Sequence, residues 1–503
     1  MLFSSGVFIF VFIPISLIGY HLLSRFGKTF LLAWFALISL VFYACWNPVY
    51  LVLLCGSILM NFFLASRMAN AAEQTQDRWL IGAIAANLLL LMWFKYLFPV
   101  LNFLHQHHLL SRSFHDVVLP LGISFFTFTQ IAYLIDVRQG AAKHQGPLSY
   151  SVFVTFFPHL IAGPIIHPRE IMPQLESDRI GRLRADDVAL GLSWFILGLS
   201  KKVLIADYFA TKANPVFANP AGFGAVSTWL GTMAYAMQLY FDFSGYSDMA
   251  MGLARMFSIE FPINFDSPYK AGSIIEFWQR WHMTLSRYLN EYLYTPIVRA
   301  VNSRRMDKGK KVSRKAQATP EGFLQMVGYP TLTTMFLAGI WHGAGFQFII
   351  FGLLHGSYLT ANNAWRLLTP KGSRLHNKLP LPAAVLLTFL CVLVGHIFFR
   401  SASVHEATYV LGTMLGFHSG PATSLHSVAR DATTLAGAFL IVWGMPNTQE
   451  ILGQLAKDTP RLPSLLPNLA WRTTAVWSVA LTGLFCASLL FLDRSTTFLY
   501  FQF

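Results

Sequence analysis

"GIWHGAGFQFIIFGLLHG" (residues 339–356) sets His342 and His355 among Ile, Phe, Leu and glycine in chain that otherwise reads as apolar. Whether this stretch lies in a soluble core or in a bilayer decides the fold. Of 503 residues, 54% are apolar, 15% aromatic and only 12% charged, and mean hydropathy is +0.49. Charged residues make up about a quarter of an ordinary soluble domain, so this is a membrane protein. An imidazole inside an apolar span is costly and carries a functional hypothesis by default.

Windows of ~20 apolar residues, the length that crosses a bilayer core, fall near 5–23, 29–46, 48–66, 79–99, 117–137, 186–206, 225–243, 328–345, 346–365, 381–399, 431–446 and 472–492. The expected architecture is all-α and polytopic, a single membrane domain over 1–503 with no separate soluble domain. The N-terminal "MLFSSGVFIFVFIPISLIGYHLL" lacks the basic start and small-residue cleavage site of a signal peptide and reads as a retained span. Basic residues follow the first, third and fifth windows (Arg25 and Lys28; Arg67 and Arg78; Arg138 and Lys143), whereas the His-rich 102–116 loop carries only Arg112. The positive-inside rule then puts the N-terminus outside the cytoplasm.

"YSVFVTFFPHLIAGPIIHP" is short, broken by Pro158, Gly163 and Pro164, and followed by Arg169, Arg179, Arg182 and Arg184. It reads as a re-entrant segment holding His159. Irregular backbone at membrane depth needs protein or a wet cavity around it, so a cavity is expected. "QLYFDFSGYSDMAMG" (238–252) reads as a second irregular region, with Asp242 and Asp248 capping broken helix ends or pairing with Arg around Gly245. "EFWQRWHMTLSRYLNEYLY" reads as an interfacial or dipping helix, and "VRAVNSRRMDKGKKVSRK" (298–315) as a solvated cytoplasmic loop. The net charge of +14 fits basic loops facing anionic lipid better than nucleic acid. Cys45, Cys55, Cys391 and Cys486 lie in apolar runs without CxxC spacing, so neither a disulfide framework nor a thiolate metal site is indicated.

On one continuous helix, His342 and His355, thirteen positions apart, would stand on different faces and ~20 Å apart along the axis. They could not both touch one reacting atom. His282, on a separate segment rich in Trp, Arg and Ser, is the more natural partner for His342. "HSVARD" (426–431) matches the H-x-x-x-x-D pattern of soluble-type glycerolipid acyltransferases, but it lacks the context such a motif needs.

"FPHLIAGPI" (157–165), "QLYFDFSGYSDMAMGLA" (238–254), "FWQRWHMTLSRYLNEYLY" (277–294) and "GIWHGAGFQFIIFGLLHG" together resemble the ordered signature blocks of the membrane-bound O-acyltransferase family, in its bacterial branch of alginate O-acetylation type. The motif-bearing core spans about residues 117–366. The resemblance implies about eleven spans plus re-entrant helices around a central funnel or tunnel. It puts the family histidine at His342 and the second at His282, in R-W-H-x-[ST]-L-S. Trp341, Gly343, His355, His159, Trp281, Arg280 and Asp242 are expected to line the tunnel, His355 as part of its wall.

An imidazole kept neutral in apolar surroundings can take the proton of a hydroxyl as that hydroxyl attacks a thioester, a role typically worth 10²- to 10⁴-fold. The expected roles are His342 as general base and His282 as the group that orients it or stabilises the oxyanion. The resemblance further implies acetyl-CoA as acyl donor with no bound cofactor or metal, and a bacterial inner-membrane location with a periplasmic N-terminus. It also implies a periplasmic partner of SGNH type with its own catalytic serine. The final acceptor is a polysaccharide: alginate or cellulose, with peptidoglycan as the alternative. A histidine-lined transporter and a membrane haem protein are the readings from other classes.

Overall fold

The computed structural model describes residues 2–112, 118–161, 163–369, 379–421, 423–453, 464–494 and 499. Regular structure among the described residues is helical, without strands. Every hydropathy window falls on a helix. Among the described residues, six helices are long and apolar enough to cross a membrane: Phe8–Phe26, Val49–Ala69, Glu73–Gln106, Ala185–Ala218, Pro320–His342 and Leu381–Arg400. Lys28–Ala44 and Ala475–Leu489 are shorter and apolar.

Prolines sit inside several of these helices without ending them. Pro14, Pro99, Pro296 and Pro330 each follow a π-helical turn by two residues, the turns being Phe8–Phe12, Trp93–Leu97, Asn290–Tyr294 and Leu324–Gly328. A wider turn relieves the clash of the ring with the preceding carbonyls and absorbs the missing N–H. For this reason the window at 79–99 continues as helix to Gln106, into the His-rich loop, of which residues 113–116 lie outside the described residues. Likewise the basic 298–315 stretch begins as the helix Thr295–Asp307 rather than as loop.

Two compact units are distinguishable: Met1–Leu204 with Phe243–Ile263 and Arg472–Gln502, and Ile205–Asp242 with Asn264–Trp471. In the first unit the expected break at Gly245 is absent, because Ala225–Met256 is one uninterrupted helix. Gly245 serves packing instead: a Cβ there would lie 2.7 Å from the Gly198 carbonyl oxygen. Asp248 caps no helix end but pairs with Lys201 Nζ at 2.6 Å. Nearby, Asp187 accepts from Arg255 at 2.8 Å and from Arg179 at 3.3 Å. Asn61 and Asn87 exchange amide hydrogen bonds of 3.0 and 2.5 Å between neighbouring helices. The broken 150–168 segment forms the helices Pro147–Thr155 and Phe157–Leu160, and residues 163–167 carry no regular structure, in keeping with Gly163 and Pro164.

The second unit contains the quoted stretch, and there the continuous-helix premise fails. Tyr329–His342 ends at Gly343, and a new helix, Phe346–Leu368, turns back along it. A Cβ at Gly352 would lie 2.3 Å from the Met335 carbonyl oxygen and 3.0 Å from the Gly339 Cα, so the hairpin closes only because these positions lack side chains. His342 and His355 consequently sit on adjacent antiparallel helices, not far apart along one axis.

Candidate active site

His342 is the last residue of its helix and is 6% exposed. Its ring stands 4.7 Å from Trp341, 5.1 Å from Phe399 and 5.6 Å from Phe351, measured between centroids. The imidazole thus lies in a box of aromatic rings. Gly343, next in the chain, has extended backbone, and a Cβ there would strike the Phe348 ring at 2.2 Å.

The second motif bends sharply at its histidine. Ile274–Arg280 and Met283–Leu289 are separate helices, and His282 between them adopts left-handed backbone with φ 43° and ψ 52°. Such a conformation costs roughly 1–3 kcal/mol for a non-glycine residue and persists where the surroundings enforce it. Here the enforcing element is the segment 264–266: Asp266 N–H donates to the Arg280 carbonyl, and Met283 N–H donates to the Asn264 carbonyl, both at 2.9 Å. The Asn264 side-chain oxygen takes the Thr284 hydroxyl at 2.8 Å, its backbone N–H at 3.3 Å and His282 Nδ1 at 3.0 Å. Because the backbone N–H can only donate, that atom is the amide oxygen, and His282 Nδ1 carries a proton. In the neutral ring Nε2 is then the basic nitrogen.

His355 has the opposite tautomer. Its Nδ1 accepts from Trp278 Nε1 at 3.2 Å, which leaves the proton on Nε2, the atom facing Gly395. Phe351 lies against both His355, at 4.7 Å, and His342, at 5.6 Å. One ring therefore separates two histidines that a single-helix reading puts far apart. Arg280 is buried, donating to Glu276 at 2.7 Å and to the Asp266 carbonyl at 3.4 Å. Trp281 stacks on Phe277 at 5.6 Å, and Asp242 is buried in the same unit. His159 belongs to the first unit, where its Nε2 is 2.9 Å from the Phe153 carbonyl and its ring packs edge-on to Phe261.

One residue escaped the sequence reading. His396, 4% exposed on Leu381–Arg400, lies 5.8 Å from Trp281 and 6.2 Å from both Tyr269 and Tyr235. The signal was there, an ionisable side chain within an apolar span, but no neighbouring motif drew attention to it. The decoy "HSVARD" is occupied structurally: Asp431 pairs with Lys212 at 2.9 Å.

The sequence profile of the membrane-bound O-acyltransferase family matches residues 17–313, a stretch that includes His159 and His282 and ends before His342. A peptidoglycan O-acetyltransferase of Helicobacter pylori is 39% identical over 86% of this chain and 82% of its own length. A probable alginate O-acetylase of Pseudomonas putida is 34% identical over the whole of both chains. A teichoic acid D-alanyltransferase of Bacillus subtilis is 28% identical over 65% of this chain and 78% of its own. With buried histidines, helices able to cross a bilayer and matches of this extent, the chain belongs to the membrane-bound O-acyltransferase family and is a multi-pass O-acyltransferase.

Proposed function

We propose that this chain takes acetyl groups from acetyl-CoA at the cytoplasmic side of a bacterial inner membrane and passes them outward for O-acetylation of a polysaccharide. Its N-terminus lies on the periplasmic side, and a periplasmic partner with its own catalytic serine completes the transfer. The observation that carries the reading is the setting of His342, buried among Trp341, Phe351 and Phe399 at a helix end. An imidazole so placed can take a hydroxyl proton and give it up again, the acid–base role that acyl transfer needs.

His342 takes the acceptor hydroxyl's proton as the oxygen attacks the thioester carbonyl. The tetrahedral intermediate collapses with cleavage of the carbon–sulfur bond, and the proton passes to the departing thiolate. His282, fixed by Asn264 with Nε2 basic, orients the reacting groups. Trp341, Gly343, His355, Trp281, Arg280 and Asp242 line the substrate path in the same unit.

Labelled acetyl-CoA presented to purified protein in liposomes tests the chemistry. His342→Ala is expected to lower acetyl transfer by about 10²-fold or more at unchanged expression and melting temperature; a substantial residual rate sinks the assignment. For the final polymer, the 39% identity to a peptidoglycan enzyme against 34% to an alginate enzyme favours peptidoglycan. Deleting the gene should then strip ester-linked acetate from purified sacculi. Loss confined to an exopolysaccharide replaces peptidoglycan with alginate or cellulose, and no loss from either refutes the function.

A further inference from the structure

We propose that Tyr235, Gln238 and His396 form a subsite that holds the hydroxyl to be acetylated; the inference rests on the acetyl-transfer reading above. The three side chains are 0%, 4% and 4% exposed. The Tyr235 hydroxyl, the Gln238 Oε1 and the His396 Nδ1 nevertheless make no hydrogen bond among the described residues. A buried polar atom left in that condition costs about 1–3 kcal/mol, and native proteins retain such atoms chiefly where they serve something else.

The three belong together. Tyr235 and Gln238 are three residues apart on Ala225–Met256 and share a face. Tyr235 meets the His396 ring edge-on, and Tyr269 and Trp281 flank the same imidazole. The neighbouring Tyr269 hydroxyl, by contrast, donates to the Ala236 carbonyl, next to Tyr235, at 2.9 Å.

Their chemistry selects the occupant. An amide oxygen only accepts, so whatever satisfies Gln238 must donate a proton, while a phenol and an imidazole can give or take one. A thioester or ester offers acceptors alone. A hydroxyl both donates and accepts. The location agrees, since Phe399, one helical turn beyond His396, is the ring that packs on His342 at 5.1 Å. One face of one helix thus touches both the proposed base and the proposed hydroxyl subsite.

The hydroxyl could come from a sugar or from the serine of a partner, and the test separates them by using chitotetraose in one arm and N-acetylserinamide in the other. Tyr235→Phe keeps the ring and its contacts and removes only the orphaned oxygen; His396→Gln is the second variant. Acetyl transfer from acetyl-CoA by the purified protein is measured with melting temperature alongside. The expected result is a KM for the accepting hydroxyl raised at least fivefold in both variants, with donor KM unchanged and the Tyr235→Phe melting temperature equal to or above wild type. Whichever arm shows the rise names the source. Unchanged acceptor KM, an equal rise in donor KM, or a lower melting temperature for Tyr235→Phe each overturns the subsite. Wild-type protein that acetylates neither probe overturns the transfer reading itself, and the subsite with it.

Discussion

Two sets of buried polar side chains, one in each unit, behave in opposite ways. In the first unit, Lys201 and Asp248, Asn61 and Asn87, and Asp187 with its two arginines satisfy one another. In the second unit, a histidine lies among aromatic rings, and a phenol, an amide oxygen and an imidazole nitrogen find no partner among the described residues. Polar groups that answer each other hold helices together where lipid offers no hydrophobic drive to do so. Polar groups that await something hold substrate. The contrast predicts that substitutions in the first region lower stability and leave the rate per folded molecule alone, while those in the second lower the rate.

The sharpest probe of that contrast is Lys201→Ala. It removes the cation 2.6 Å from a fully buried carboxylate, and breaking such a pair from one side typically costs about 3–5 kcal/mol. Thermal unfolding in detergent should show a large drop in melting temperature, and the surviving folded fraction should retain its acetyl-transfer rate. An unchanged melting temperature would break the comparison at its strongest point.

Asn264 tests the other region. Asn264→Leu deletes the acceptor that fixes the His282 tautomer, and a misplaced imidazole tautomer can cost orders of magnitude in rate. We expect kcat to fall roughly tenfold or more, with Asn264→Asp, which keeps an acceptor oxygen, restoring most of it. A loss of stability with kcat intact would move His282 into the structural class.

Much of this was legible in the sequence because a bilayer imposes length and apolarity on each span. Every hydropathy window became a helix for that reason. What was not legible depended on contacts between segments distant in sequence. Gly245 looks like a helix breaker until Gly198 is seen against it, and Asp248 looks like a cap until Lys201 reaches it. His342 and His355 look far apart until Gly339 and Gly352 allow the hairpin to close. His282 was marked by its motif, but its left-handed backbone and the amide that holds it come from segment 264–266. His396 carried no motif and became visible only through the rings around it.

The smallest effect belongs to the reciprocal amides of Asn61 and Asn87. Each also donates to its own helix, to Ser57 and Ala83 respectively, so either single change to Leu leaves the other amide half satisfied. Interhelical hydrogen bonds within membranes average about 0.6 kcal/mol and reach about 2. A double-mutant cycle on melting free energy should therefore give a coupling of about 0.6–2 kcal/mol, the double variant lying closer to wild type than the sum of the singles. Because the two residues satisfy each other, acetyl transfer per folded molecule should stay level across all three variants. A rate loss in any of them would mean that this pair, too, serves the reaction, and the division between groups that hold and groups that bind would fail.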